Sequence, residues 1–309
     1  MAMNDARIDP GASIGAVHLT VADLERSVAF YRDALGFQAH ATGQGAARVG
    51  AGANDLLGLV EVPGARRRAR ATGLFHFAVL LPSRADLARF LARVVRGGVR
   101  LGGASDHGVS EALYLADPDG NGIEVYRDRP RQEWPRGPDG LPLLVTDPLD
   151  LDELMREAGA AGASKASGGA SGELPRDTRI GHVHLHVANL PEAERLYVGV
   201  LGFEVMARYG GEAVFVGAGG YHHHIGLNTW AGVGAPAPPP GSAGLRWFEI
   251  RHSSREELER TAARVRNAGI PLDREEEGYR IEDPSGNGIR LAAGAGVGIG
   301  SGGGVIEGA

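Results

Sequence analysis

The chain has 309 residues, which corresponds to about two domains, and its 32 Lys and Arg against 38 Asp and Glu give a net charge of -6. This composition lacks the basic excess that favours a nucleic-acid or membrane-surface partner, and no apolar run is long enough to cross a bilayer. The absence of cysteine excludes disulfides, thiolate-held metals and cysteine nucleophiles, and it is compatible with the cytoplasmic location that we expect.

The first predicted elements are a strand and a capped helix that begin near Ile14. The strand alternates apolar and polar residues up to Val21, and Asp23 is placed to cap the helix that follows. The apolar face of this helix consists of Leu24, Val28, Tyr31 and Leu35.

A second strand and helix follow the same plan. His76–Leu81 has the pattern of a strand, Ser83 is placed to cap the next helix, and Gly97-Gly98 ends it. Further β-like runs come later, such as Glu111–Ala116, and the glycines after them are typical of a turn rather than of a phosphate loop. The pattern predicts a βαβββ unit that occurs twice in this part of the chain.

The whole pattern then repeats at an offset of 166 residues. Ile14–Phe37 and Ile180–Phe203 are identical at 12 of 24 aligned positions. Asp117–Glu124 (DPDGNGIE) and Asp283–Arg290 (DPSGNGIR) preserve the same offset. Two motifs with one spacing indicate a duplicated module.

The repeats place the two modules at residues 12–130 and 178–293. In the second module, Ser253 and Glu256 have the spacing of a capping box before a helix. Residues 131–177 connect the modules, and their low-complexity part, Ala158–Ser171, is predicted to be a flexible linker. Residues 294–309 are rich in glycine and are predicted to form a disordered tail.

Four stretches of the sequence resemble a known family: VHLTVADLERSVAFYRDALGF, HGVSEALYLADPDGNGIEVY, IGHVHLHVANL and YHHHIGLNTW. Together they resemble the vicinal oxygen chelate superfamily, which includes glyoxalase I, bleomycin resistance proteins and extradiol dioxygenases. The two histidine-rich stretches are similar to its catechol 2,3-dioxygenase-like branch. The resemblance implies an α+β fold of two tandem modules, in which paired βαβββ units form curved sheets, or half-barrels, around a metal site.

The resemblance also implies three places for metal ligands on these sheets. The first strand of one half carries His182, the first strand of the other half carries His76, and the last strand of that half carries Glu124. The matching places in the other halves are vacant, because they hold Ala16, Trp247 and Arg290. Neither module has a complete set, so we expect the second half of module one to pair with the first half of module two.

Two histidines and one carboxylate form the facial triad of non-haem Fe(II) enzymes, which leaves three coordination positions open. The resemblance therefore implies an extradiol dioxygenase that cleaves a small aromatic diol with dioxygen. Mn(II) accepts the same ligand set, and the oligomeric state stays open. His18 and His184 share a face with the ligand places, and they are alternatives as ligands or as groups that face the substrate.

Three further residues are candidates for catalysis. His223 matches the acid–base histidine of extradiol enzymes, although a register error of one residue leaves His222 and His224 as alternatives. If these residues continue the strand that follows, His222 and His224 share one face and His223 takes the other. Tyr114 has the family spacing to Glu124, and His107 precedes the tyrosine strand as a donor to bound dioxygen.

Two other functions are compatible with the resemblance. A glyoxalase-type lyase or thiol transferase would use a fourth ligand from the last strand of a first half, where Gly58 stands in module one with Glu61 nearby. In the half from module two, we expect this strand to offer histidine but no carboxylate. A metal-free protein that binds an aromatic drug would be expected to lack the triad.

Overall fold

The structure is a computed structural model that describes residues 6–163 and 172–294. The predicted tail, apart from its first residue, lies outside the described residues. The low-complexity segment is described only as far as residue 163, and that part belongs to a helix.

Four βαβββ units follow one another along the chain, as the repeats predict. The first unit contains the strands β1 (Ser13–Val21), β2 (Gln38–Gly43), β3 (Ala46–Ala51) and β4 (Asn54–Glu61) and the helix α1 (Leu24–Ala29). The second unit contains the strands β5 (Gly73–Leu80), β6 (Gly103–Asp106), β7 (Ser110–Ala116) and β8 (Gly122–Asp128) and the helix α2 (Arg84–Arg96).

The connector contributes a short strand and a helix, which are β9, Asp147–Pro148, and α3, Leu151–Ala163. The third unit contains the strands β10 (Arg179–His186), β11 (Glu204–Tyr209), β12 (Ala213–Gly217) and β13 (Ile225–Asn228) and the helix α4 (Leu190–Glu194). The fourth unit contains the strands β14 (Gly244–His252), β15 (Asp273–Glu275), β16 (Gly278–Glu282) and β17 (Gly288–Ala293) and the helix α5 (Arg255–Asn267).

The helix starts follow from side-chain caps. Asp23 accepts a hydrogen bond from the Arg26 amide, and Ser83 accepts one from the Asp86 amide. The cap predicted at Ser253 is wrong by one residue, because Ser254 accepts from the amide of Glu257. Ser253 is held elsewhere, since its amide donates to Asp9.

The strands form two mixed sheets, and each sheet combines halves of both modules. The nine-stranded sheet has the order β11-β12-β13-β10-β5-β8-β7-β6-β9, so the second unit joins the third. The eight-stranded sheet has the order β15-β16-β17-β14-β1-β4-β3-β2, so the fourth unit joins the first. The seams are the antiparallel pairs β5 with β10 and β1 with β14. This α+β architecture of two curved sheets confirms the predicted fold class.

The connector packs against the second unit. Leu154 of α3 is fully buried, and Arg84 of α2 bonds to Glu153 and Glu157 on the facing side of α3. Strand β9 pairs with β6 at the edge of the nine-stranded sheet. The predicted linker thus begins with a docked helix.

One apolar core runs through both sheets and the helices that cover them. Fully buried side chains such as Phe77, Val125 and Leu185 come from the strands of the nine-stranded sheet. Burial of one such side chain contributes roughly 1.5–3 kcal/mol, which holds the strands in a fixed register. In the described part of the chain, no helix is long and apolar enough to cross a membrane.

Candidate metal centre

Three neighbouring strands of the nine-stranded sheet carry His76, Glu124 and His182. Glu124 on β8 and His182 on β10 both pair with Ala78 on β5, one from each side. His76 lies two residues before Ala78 and therefore on the same face. Ala78 is fully buried and offers only a methyl group, which leaves space for the three longer side chains to meet above it.

The three side chains converge on one point. The Nε2 atoms of His76 and His182 lie 3.3 Å apart. A single oxygen of Glu124, Oε2, lies 3.1 Å from the first of these nitrogens and 3.2 Å from the second. All three residues are buried, at 7%, 3% and 1% exposure for His76, Glu124 and His182. Among the described residues, this is the group of three His or acidic side chains that is placed to hold a metal ion.

The charge state of these groups suits a cation. Burial raises the pKa of Glu124, but His182 and His76 outweigh that effect and hold the pKa well below its ordinary value. Burial also lowers the pKa of His182, which favours a neutral imidazole. A buried carboxylate is costly without a positive charge nearby, and an ionised carboxylate and a neutral imidazole are the forms in which these side chains bind a metal. The residues therefore fit a divalent metal.

A turn anchored on Asp117 precedes the strand that carries Glu124. Its carboxylate accepts from the amides of Asp119 and Asn121 and from the Tyr31 hydroxyl. Gly120 has a φ of +82°, a conformation that side chains rarely adopt. The turn fixes the start of β8 and with it the height of Glu124 on the sheet.

Gly226 corresponds to Gly58, which stands at the fourth-ligand place that the resemblance implies. Gly226 on β13 pairs with His184, as Gly58 on β4 pairs with His18 in the other sheet. A Cβ at Gly226 would lie 2.8 Å from the His184 ring, so the glycine makes room for that ring. The expectation that this strand offers histidine is wrong, since the strand begins at Ile225 and the histidines precede it.

The segment His222 to His224 is a bend rather than a strand, so the strand period of two does not apply to it. The ring of His223 lies 4.2 Å from that of His182, centre to centre, and 5.0 Å from that of Phe215. His222 and His224 point to other partners, because His222 Nε2 bonds Asp128 and His224 Nδ1 accepts from the Ala218 amide. Of the three histidines, His223 lies closest to the triad.

Tyr114 borders the same triad, and His107 contacts Tyr114. Tyr114 on β7 pairs directly with Glu124, and its ring centre is 5.9 Å from that of His76. Its hydroxyl lies 2.7 Å from His107 Nε2, and His107 Nδ1 donates to the carbonyl of Val145. Burial, followed by the charge of Glu124, raises the pKa of Tyr114 well above its ordinary value, so the phenol keeps its proton.

Comparison with known proteins now identifies the family. The sequence profile of the Glyoxalase/Bleomycin resistance protein/Dioxygenase superfamily matches residues 13–125 and 179–291. The chain belongs to this superfamily. It is 46% identical over 275 residues to the catechol-2,3-dioxygenase of Bacillus subtilis (strain 168), across 88% of this chain and 93% of that protein.

Two solved structures share the superfamily fold with this chain. One is a Bacillus subtilis subsp. subtilis str. 168 protein provisionally described as a dioxygenase, with 13% identity, a TM-score of 0.62 and coverage of 93% of this chain and 86% of that one. The other is glyoxalase I from Zea mays, with 15% identity, a TM-score of 0.52 and coverage of 91% and 93%. At these identities the likeness concerns the fold alone.

The eight-stranded sheet is the second half-barrel of this superfamily member, and other side chains occupy the places that correspond to His182, His76 and Glu124. Trp247 stands at the place of His76, and its indole stacks on His18. Arg290 stands at the place of Glu124, with its guanidinium 5.6 Å from the Trp247 ring. Arg290 also pairs with Glu275 at 3.0 Å, and a guanidinium, which has no lone pair to offer, does not coordinate a metal cation.

Sequence reasoning missed a polar network beside the triad. The Tyr126 hydroxyl lies 2.7 Å from that of Tyr221, which donates to Asp128, which in turn bonds His222. These residues are distant in sequence, and the network depends on the pairing of β5 with β10. Tyr221, which directly precedes the three histidines, was visible in the sequence, but no local sequence pattern predicted that it would contact Tyr126 and Asp128.

Proposed function

We propose that this chain is an Fe(II)-dependent extradiol dioxygenase that opens the ring of a catechol-type aromatic diol with dioxygen. The observation that carries the proposal is the convergence of His76, Glu124 and His182 at 3.1–3.3 Å, beside a glycine at the fourth place. The 46% identity to a catechol-2,3-dioxygenase supports the same reaction class.

The ligand set favours Fe(II) among the divalent transition metals. Two imidazoles and one carboxylate are the set of non-haem Fe(II) oxygenases, and Mn(II) accepts it as well. When bound, Fe(II) would supply a Lewis acid for the diol and the redox chemistry that lets dioxygen react with it.

His223 is proposed as the acid–base residue. Burial lowers its pKa well below the ordinary value, followed by the effects of His182 and His222, so its imidazole is neutral and keeps one nitrogen lone pair. Its ring lies against that of His182, where a substrate hydroxyl would approach. A neutral imidazole there can take the proton of the diol and return it to the product.

Tyr114 and His107 are proposed to act as a pair. The Tyr114 phenol stays protonated and lies opposite Glu124, so it can donate a hydrogen bond to an oxygen of the diol or of dioxygen. His107 donates its Nδ1 hydrogen to the Val145 carbonyl, so in the neutral ring Nε2 can only accept, and the phenol donates to it at 2.7 Å until its hydrogen turns to a substrate oxygen. The pair would orient the oxygens that react.

An aromatic wall beside the triad suits a planar substrate. The rings of Trp230, Phe75 and His184 lie 5.2 Å from one another, centre to centre. Trp230 is 43% exposed, which places it at the rim rather than in the core. Planar rings pack well against such a wall at offset or edge-on angles.

The two other functions fit these residues less well. A lyase or thiol transferase of this fold would need a fourth carboxylate, and Gly226 stands there with His184 above it. A metal-free drug-binding protein does not require a buried triad in which one carboxylate oxygen lies close to two histidine nitrogens. These observations leave the dioxygenase as the function that the site supports best.

The test is anaerobic reconstitution of the purified chain with Fe(II), followed by a panel of catechols under air. We expect oxygen uptake and a yellow ring-opened product with at least one catechol. Glu124→Gln protein treated in the same way is the control, and it should consume no oxygen. Protein that holds iron but consumes no oxygen with any catechol of the panel would contradict the proposal.

A further inference from the structure

A line of three hydrogen-bonded side chains leads to His223 from the far end of the strand that carries Glu124. Asp128, the last residue of β8, lies 2.9 Å from Nε2 of His222 through its Oδ1 atom. Nδ1 of His222 lies 2.9 Å from Nδ1 of His223. Because Asp128 and Glu124 share one strand, their separation is fixed by the sheet.

The middle residue of this line, His222, is buried and packed between aromatic rings. His222 is only 1% exposed, and its ring lies 4.1 Å from that of Tyr221 and 5.4 Å from that of Trp134, centre to centre. Tyr221 also donates to Asp128 at 3.0 Å, and the hydroxyl of Tyr126 lies 2.7 Å behind it. Asp128 is therefore held by two groups, one of which is His222.

The line dictates which ring nitrogens carry protons. An ionised carboxylate only accepts hydrogen bonds, so Nε2 of His222 must be the donor to Asp128. In neutral His222 the other nitrogen, Nδ1, then has a lone pair, and it can accept only if Nδ1 of His223 carries a proton. Nε2 of His223 is left with its lone pair, which is the form a base requires.

We propose that Asp128 is a positioning residue that acts through His222 to hold His223 in the tautomer with a free Nε2. The inference rests on the proposed function, because it assigns that nitrogen to proton transfer. It adds a residue outside the metal triad and four positions along β8 from Glu124.

Asp128→Asn tests the tautomer directly. A carboxamide can donate through its NH₂ group, which lets His222 accept at Nε2 and reverses the line, so that the proton of His223 moves to Nε2. In a serine protease the same exchange beneath the catalytic histidine costs about 10⁴-fold in kcat. We expect kcat to fall by about 10²–10⁴-fold, with KM and iron content unchanged.

Asp55→Asn is the matched control. Asp55 bonds His40 Nδ1 at 2.7 Å, so it forms the same kind of aspartate–histidine pair, but in the eight-stranded sheet. Its replacement should leave kcat unchanged. An equal loss of kcat in both variants would overturn the proposal, since a general structural effect would then explain it.

A double-mutant cycle separates an effect through His223 from any other effect. In a His223→Ala background, Asp128→Asn should cost less than about twofold in kcat, because groups that act as a unit are not additive. A loss of the same size in both backgrounds would overturn the proposal. No loss in the otherwise unchanged chain would overturn it as well.

A second readout does not depend on turnover. In full-length protein loaded with Zn(II) and labelled with ¹⁵N in histidine, the His223 signals are those lost in His223→Ala. We expect a protonated Nδ1 and a bare Nε2, and the reverse in Asp128→Asn; unchanged shifts in that variant would contradict the proposal. If no catechol is cleaved, the proposed function fails, but this measurement still decides whether Asp128 sets the tautomer.

Discussion

The imidazole of His18 lies flat on the indole of Trp247, with ring centres 3.6 Å apart and an angle of 16° between the planes. In the nine-stranded sheet the corresponding pair is His184 and His76, whose rings meet edge to face at 5.1 Å. The same strand pairing therefore supports two outcomes. One half-barrel brings a triad together, and the other fills the same place with a stacked aromatic pair.

The ligand set predicts the behaviour of two variants. Glu124→Gln and His76→Ala should each lose both bound metal and activity. Changes to residues that only support a ligand typically cost about 10–100-fold in metal affinity, so removal of a ligand should cost more. The measurement is iron content after anaerobic loading and desalting, with His40→Ala as a control that keeps iron.

His223→Ala should separate catalysis from metal binding. The variant should keep its iron and lose about 10²–10⁴-fold in kcat, because proton transfer is weakened while the triad stays intact. Iron content and steady-state rates on the same preparation decide the question. Protein that emerges without metal would mean that His223 is a ligand and that its assigned role is wrong.

Gly226→Ala and Gly58→Ala form a matched pair. Each glycine lies beneath a histidine ring, and an added Cβ would meet His184 or His18. Overpacking of this kind costs about 1–3 kcal/mol in the free energy of unfolding. We expect both variants to lose stability in denaturant, but only Gly226→Ala to lose kcat/KM, because His184 borders the triad. A similar loss of kcat/KM in both variants would sink this account.

His18 should make folding sensitive to acid. Burial, followed by the charges of Arg290 and Arg246, lowers the pKa of His18 to about 3. Between that value and the ordinary pKa of about 6.5, the unfolded chain binds a proton that the folded chain does not. The stability from neutral His18 is thus complete above about pH 6.5 and is lost as the pH falls through this window.

The comparison is between the wild type and His18→Phe, unfolded in denaturant from about pH 7 to pH 5. Stability should fall less steeply with acid in the variant, because Phe does not titrate. Parallel curves would mean that His18 has no part in the pH dependence.

The resemblance named the places of the candidate ligands, and the duplication allowed them to be compared between the modules as an internal alignment. The two sets of halves could be compared place by place. One set holds Ala16, Trp247 and Arg290, and the other holds His182, His76 and Glu124 at the corresponding places. This comparison also predicted the pairing of halves across the modules, which the strand order confirms. The metal-ligand roles themselves remain a prediction.

What could not be predicted depends on local backbone geometry. The residues before Ile225 were expected to alternate as a strand, but Gly219 and Gly220 have positive φ values and turn the chain into a bend. A period of two therefore gives no physical basis for the faces of these histidines, although the His222 and His224 rings both lie against Tyr221 and the His223 ring lies against His182. The bond between His222 and Asp128 joins residues 94 positions apart, so no spacing rule could supply it.

The central claim is that one metal is held between the modules by His76, Glu124 and His182 and by no second site. It is tested most directly by the number of iron equivalents retained per chain after anaerobic loading. The account predicts one equivalent in the wild type and none in Glu124→Gln. Two equivalents in the wild type, or one equivalent retained by Glu124→Gln, would contradict it.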